Sequence, residues 1–114
     1  MADSGICDYA ISGGMVRFIF GDGDDPMTIE DVDAEVFLPD GSRWSASCMT
    51  LPQIERVLIR WSQTGENASG AYLRCPDLLI VAKPGVAGML IAIEDLLGRG
   101  MVSMLGPLPA EEDL

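Results

Sequence analysis

From Val32 to Lys83 the order of apolar and polar residues changes period three times, and each change is marked by a turn or cap residue. Val32, Ala34, Val36 and Leu38 alternate with Asp33, Glu35 and Phe37, the period of two expected of a half-buried strand. Leu38-Pro39-Asp40-Gly41 then supplies a turn: proline pre-sets φ, aspartate bonds its local backbone and glycine accepts positive φ. Trp44, Ala46 and Cys48 next alternate with Arg43, Ser45 and Ser47, so the two runs predict an antiparallel hairpin. The period then lengthens. Thr50-Leu51-Pro52-Gln53 fits a capping box, with threonine capping the third helical amide and glutamine reaching back to the cap amide. Leu51, Ile54, Leu58 and Trp61 recur at helical spacing, Val57 widens the stripe, and Gly65 suits the position after a helix end. A second hairpin is predicted from Ala71–Cys75 and Leu78–Lys83 around Cys75-Pro76-Asp77. The nearly unbroken apolar run Leu78 to Ala82 predicts a central strand covered on both faces.

On either side of this stretch the pattern is simpler. Residues 1–14 read as either a short edge strand or a mobile arm, and Met15 to Phe20 as a strand rich in β-branched and aromatic residues. Residues 21–31 form an acidic loop. Val86, Met89, Leu90, Ile93 and Leu97 predict a second helix over about 86–98, with a strand over Met89 to Ile93 as the alternative. Met101 to Leu105 reads as an edge strand or one helical turn, and 107–114 as a frayed acidic tail. The order β-β-β-α-β-β-α predicts an α+β fold in one domain: a mainly antiparallel sheet with two helices packed on one face.

Charge narrows the range of partners. Eighteen Asp and Glu stand against seven Lys and Arg, a net charge of −11. Such a chain repels nucleic-acid phosphates and anionic membranes and favours a basic protein partner. Three scattered cysteines, Cys7, Cys48 and Cys75, make no C-x-x-C pair and read as free thiols of a reducing compartment, Cys48 and Cys75 as core. Met-Ala-Asp-Ser-Gly lacks the basic and apolar segments of a signal peptide, and no apolar run nears the roughly 20 residues that span a bilayer. A cytoplasmic location is the expectation.

The chain contains no histidine, which removes at once the common zinc sites, serine triads and histidine-activated cysteine nucleophiles. The loop from Asp22 fails as a calcium loop, because Pro26 and Met27 stand where a ligand and a glycine are needed. Pro84-Gly85-Val86-Ala87-Gly88 has neither the Gly-Lys-Ser/Thr of a P-loop nor a G-x-G-x-x-G. Asp33 and Glu35 share one strand face and could couple as acid and base, but on an alternating strand they read as its wet face. No catalytic residue, cofactor or metal is therefore expected. The residues expected to meet a partner are Asp22, Asp24, Asp25, Glu30, Asp31, Asp33 and Glu35 through charge, with Tyr72 as a surface aromatic anchor. Trp61, on the helix stripe, is expected in the core.

The run Leu38-Pro39-Asp40-Gly41-Ser42-Arg43-Trp44-Ser45-Ala46, then Thr50-Leu51, Thr64-Gly65-Glu66, Gly70-Ala71-Tyr72 and Asp77 to Val81, resembles a group of small uncharacterised bacterial proteins, chiefly from high-GC Gram-positive organisms. The resemblance covers about residues 32–98, and its motifs are turns and caps. In size and charge the chain is also similar to immunity proteins that neutralise secreted toxins. That likeness implies a non-enzymatic binding module with a basic toxin as partner. The alternative is a self-associating domain whose exposed sheet face is buried in a homodimer.

Overall fold

The structure is a computed structural model that describes residues 5–109. Six strands form one sheet: β1 (Gly5–Ile11), β2 (Gly14–Phe20), β3 (Asp31–Phe37), β4 (Arg43–Thr50), β5 (Leu78–Val81) and β6 (Gly106–Leu108). Two main helices, α1 (Leu51–Thr64) and α3 (Val86–Gly98), and a single turn, α2 (Glu66–Gly70), complete it. The class is α+β, as expected. β1 to β4 form an antiparallel meander in chain order. β5 joins β4 in parallel alongside Ser47–Thr50, and β6 joins the same strand antiparallel alongside Arg43–Ser45.

The register makes the sheet two-faced. Val16 lies opposite Val36, Phe18 opposite Ala34, Ala34 opposite Ala46, and Val32 opposite Cys48, so the buried positions of neighbouring strands coincide. α3 lies on this face through Val86, Met89 and Ile93, and Leu105 and Ile29 close its ends. Burying a side chain as large as Phe18 or Met89 contributes roughly 1.5–3 kcal/mol. α1 adds no residue to this cluster. Its one buried side chain is Val57, while Leu51 is 64% exposed and Trp61, expected in the core, is half-buried. The inward stripe is thus Ile54, Val57, Leu58 and Trp61, centred on Val57.

Several local signals do what their chemistry predicts. The 38–41 turn closes with the Gly41 amide donating to the Leu38 carbonyl at 3.0 Å, and Gly41 has φ +88°. Thr50 ends β4 and caps α1 at once: its Oγ1 accepts from the Gln53 amide at 3.3 Å and donates to Glu30 Oε1 at 2.7 Å. The return arm of the capping box is not made. The Thr50 amide donates instead to the Glu30 carbonyl at 3.0 Å, and Gln53 Oε1, the acceptor of that arm, accepts from Arg56 Nε at 3.0 Å while Gln53 Nε2 donates to Asp31 Oδ2 at 3.1 Å. The second helix occupies 86–98 as expected, and Met89 to Ile93 is part of it.

Other expectations are corrected. Residues 71–75 form no strand, so there is no second hairpin and the fifth element of the predicted order is absent. The segment leaves α2, in which Asn67, Ala68 and Ser69 all have left-handed φ near +50 to +58°, and it meets no partner strand. β5 is accordingly an edge strand and not a central one, with Ile80 51% exposed. Of the two readings of the N-terminal stretch, residues 5–11 adopt the edge strand, paired with β2 along its length. After a 3-10 turn at Val102–Met104 the chain forms β6, so the stretch expected to fray is ordered through Leu108, and residues 110–114 lie outside the described part.

Because Thr50 is 1% exposed and both roles of its hydroxyl are filled, Thr50→Ala removes a helix cap and leaves Glu30 Oε1 without its hydroxyl donor. It should lower the unfolding free energy by about 1–2 kcal/mol, read as a fall in denaturant midpoint at unchanged slope.

Candidate functional site

Alternation along β3 turns Asp31, Asp33 and Glu35 away from the core, onto the sheet face that also carries Arg17 and Ile19 of β2 and Ser45 and Ser47 of β4. The acidic loop feeds directly into this row. The loop is solvated at Asp22, Asp24 and Asp25 as expected, but it is anchored further on: the Gly85 amide donates to the Ile29 carbonyl at 2.8 Å and the Val86 amide to the Pro26 carbonyl at 2.9 Å. The first amides of α3 thereby hold the loop on the end of the sheet. Gly85 permits this approach. Its φ is +97°, and a Cβ there would lie 2.6 Å from the Met27 carbonyl oxygen.

Within the loop the carboxylates are partly occupied. Asp24 Oδ2 accepts from the Gly21 amide at 2.7 Å and Asp25 Oδ1 from the Met27 amide at 2.9 Å, so both shape the loop. Asp24, Asp25, Glu30 and Asp31 line one open cleft of about 340 Å³, with Gln53 and Arg56 on its far side. Glu30 is ion-paired to Arg56 Nη2 at 2.7 Å. The Thr50 hydroxyl first, and then Arg56, hold its carboxyl below the usual range. Asp22 is exposed on the loop and does not line this cleft.

Further along β3, Asp33 and Glu35 line a second cavity, of about 300 Å³, together with Ser45, Ser47 and Asp77. Asp77 was not legible in advance, because it stands in a turn thought to join two strands. It accepts from Ser45 Oγ at 2.5 Å, from Ser47 Oγ at 2.9 Å and from Cys75 Sγ at 3.1 Å. Burial of the carboxyl favours the neutral acid, but these three hydrogen bonds outweigh it and hold the pKa below the ordinary 3.8. Ser47 also lies 3.4 Å from Asp33 Oδ1; its single proton belongs to the shorter contact, with Asp77. Glu35 is paired to Arg43 Nη2 at 3.3 Å, and Arg43 in turn lies 5.5 Å from the centroid of the Phe37 ring, with Arg17 at 5.1 Å from it.

Apart from Asp22, the expected contact residues thus fall into two groups. Asp24, Asp25, Glu30, Asp31, Asp33 and Glu35 form one acidic surface running from the loop along β3, although Glu30 and Glu35 already hold arginines. Tyr72 is 53% exposed, as expected of a surface aromatic, but it sits beyond α2 on no strand and lines neither cavity.

The buried Cys48 thiol is unsuited to nucleophilic chemistry. Burial first, then the Asp33 and Asp77 charges, push the Cys48 thiol up to about 12. Cys75, expected in the core, is half-buried before β5 and serves as a donor to Asp77. Among the described residues no three acidic or thiol side chains converge as a metal centre requires, and no helix is long and apolar enough to cross a membrane. Comparison of the chain with protein-family models, curated proteins and solved structures finds no match.

The three donors on Asp77 make a pH-dependent contribution to stability. Its folded pKa lies below 3.8, so on acidification the unfolded chain takes up the proton first. The contribution is complete above that value and is lost as pH falls through the folded pKa. Asp77→Asn should therefore be less stable than the parent chain at neutral pH, and the gap should close below about pH 3.8, measured by urea titration across the acid range.

Proposed function

We propose that this chain is a non-enzymatic protein-binding module that engages a basic protein partner through its acidic surface, in the manner of an immunity protein neutralising a basic toxin. The observation that carries the reading is the continuity of the acidic surface. Asp31, Asp33 and Glu35 share one sheet face and run into the loop carboxylates Asp24 and Asp25, which backbone hydrogen bonds pin in place. A fixed array of this kind speeds encounter with a cation-rich surface and sets its orientation without reorganising. The net charge of −11 acts in the same direction at longer range. Asp24, Asp25, Asp31 and Asp33 carry most of the effect, because Glu30 and Glu35 are each neutralised by an arginine.

Immobilised chain incubated with source lysate at low salt should retain proteins of high isoelectric point. Their association should slow steeply with salt as screening shortens to about 8 Å near 0.15 M. Asp31→Asn combined with Asp33→Asn should lower the association rate several-fold and leave the unfolding midpoint little changed. An association rate unchanged in the double variant, or retention of no protein by the parent chain, would defeat the reading.

A second reading, self-association, is favoured by a separate observation. Among the described residues no strand pairs with the outer edge of β1, and Ile6 on that strand is 61% exposed beside the 44% exposed Ile19. Light scattering over a wide concentration range discriminates: a concentration-independent dimer, dissociated by Ile6→Lys, supports this second reading, and a monomer throughout rejects it.

A further inference from the structure

At the end of the sheet remote from the acidic loop, the β1–β2 turn, the β3–β4 turn and the C-terminal part of α3 line a cavity of about 410 Å³ that is open to solvent. Leu38, Pro39, Leu97 and Val102 supply apolar lining, and Asp40 and Glu94 supply two carboxylates. We infer that this cavity binds an aliphatic ammonium ion, with the hydrocarbon chain on the apolar lining and the cationic end between Asp40 and Glu94. The inference stands apart from the protein-binding reading and does not depend on it.

Size, charge and preorganisation all point to that ligand class. The volume lies in the range of small-molecule pockets, and the lining is apolar with a few polar groups, the usual composition of such sites. Both carboxylates are held in place. Asp40 Oδ1 accepts from the Ser42 hydroxyl at 2.6 Å and the Ser42 amide at 2.9 Å, and Glu94 Oε2 accepts from the Ser12 amide at 2.5 Å. These donors are neutral, so the negative charges are oriented and not cancelled. The four ion pairs among the described residues use Asp8, Glu35, Glu30 and Asp95, which leaves Asp40 and Glu94 without a cationic side chain. Arg99, the basic residue one turn beyond, is engaged by Asp95 at 2.8 Å. Two fixed carboxylates beside an apolar wall attract an amphiphilic cation and repel an anion of the same shape. Apolar contact adds a chain-length dependence, of roughly fourfold in affinity per methylene buried.

The probe is n-hexylammonium, titrated into the full chain while methyl resonances are followed by NMR. Saturable shifts are expected at Leu38, Leu97 and Val102, with propylammonium binding more weakly and hexanoate, its charge reversed, producing little change. Glu94→Gln keeps an oxygen for the Ser12 amide but removes the charge, and it should weaken hexylammonium about three- to tenfold. A lysine-bearing peptide that competes for the same methyls assigns the ammonium group to a protein side chain; one that fails to compete assigns it to a free amine. The inference is overturned if hexanoate shifts these resonances as strongly as hexylammonium, if Glu94→Gln binds hexylammonium unchanged, or if no saturable shift occurs at tens of millimolar ligand.

Discussion

The shared register of β2, β3 and β4 governs this molecule. Once Val16, Phe18, Val32, Ala34, Val36, Ala46 and Cys48 are committed to a single buried face, every intervening residue must point the other way. On β3 those residues are Asp31, Asp33 and Glu35, and on β4 they include Ser45 and Ser47. Burial on one side of the sheet therefore assembles the acidic row on the other. A slip of one residue would bring three carboxylates against α3, at the cost of burying unpaired charge. The core and the candidate surface are two results of one alternation.

α3 links the two ends of the fold. Its apolar side, through Val86, Met89 and Ile93, closes the core. Its first amides and Gly85 hold the acidic loop, while Glu94 and Leu97 near its end line the cavity at the hairpin tips. Charge placed at either end thus rests on a rigid element with a buried face. Thr50 plays a similar joining role where β4 becomes α1 without a loop. Its hydroxyl and amide tie the helix start to Glu30 and so to the beginning of β3.

Legibility followed the range of the forces involved. The 38–41 turn, the Thr50 cap, the Gly65 helix end and the 86–98 helix could all be read from neighbouring residues, because each depends on contacts within a few positions. That residues 71–75 form no strand could not be read in this way. A short run has no strand character unless a partner edge is available, and the left-handed residues of α2 send the chain elsewhere. Cys75 and Trp61 looked like core residues for the same reason: apolar type was visible, but the surface meant to cover them was not. Asp77 was missed outright. Its partners Ser45 and Ser47 lie some thirty positions earlier in the chain, and nothing near Asp77 announces them.

The α+β character, the two-sided strands, the helix limits and the acidic balance are all written in residue order, since periodicity, caps and charge are local properties that survive in any register. Pairing was another matter. That β5 runs parallel to β4, that β5 and β6 share one edge of that strand, that the acidic loop docks on α3, and that Asp40 and Glu94 line a common cavity all depend on contacts between distant segments. Such contacts form only after the buried face has brought those segments together, because their energy depends on three-dimensional proximity and leaves no periodic mark along the chain.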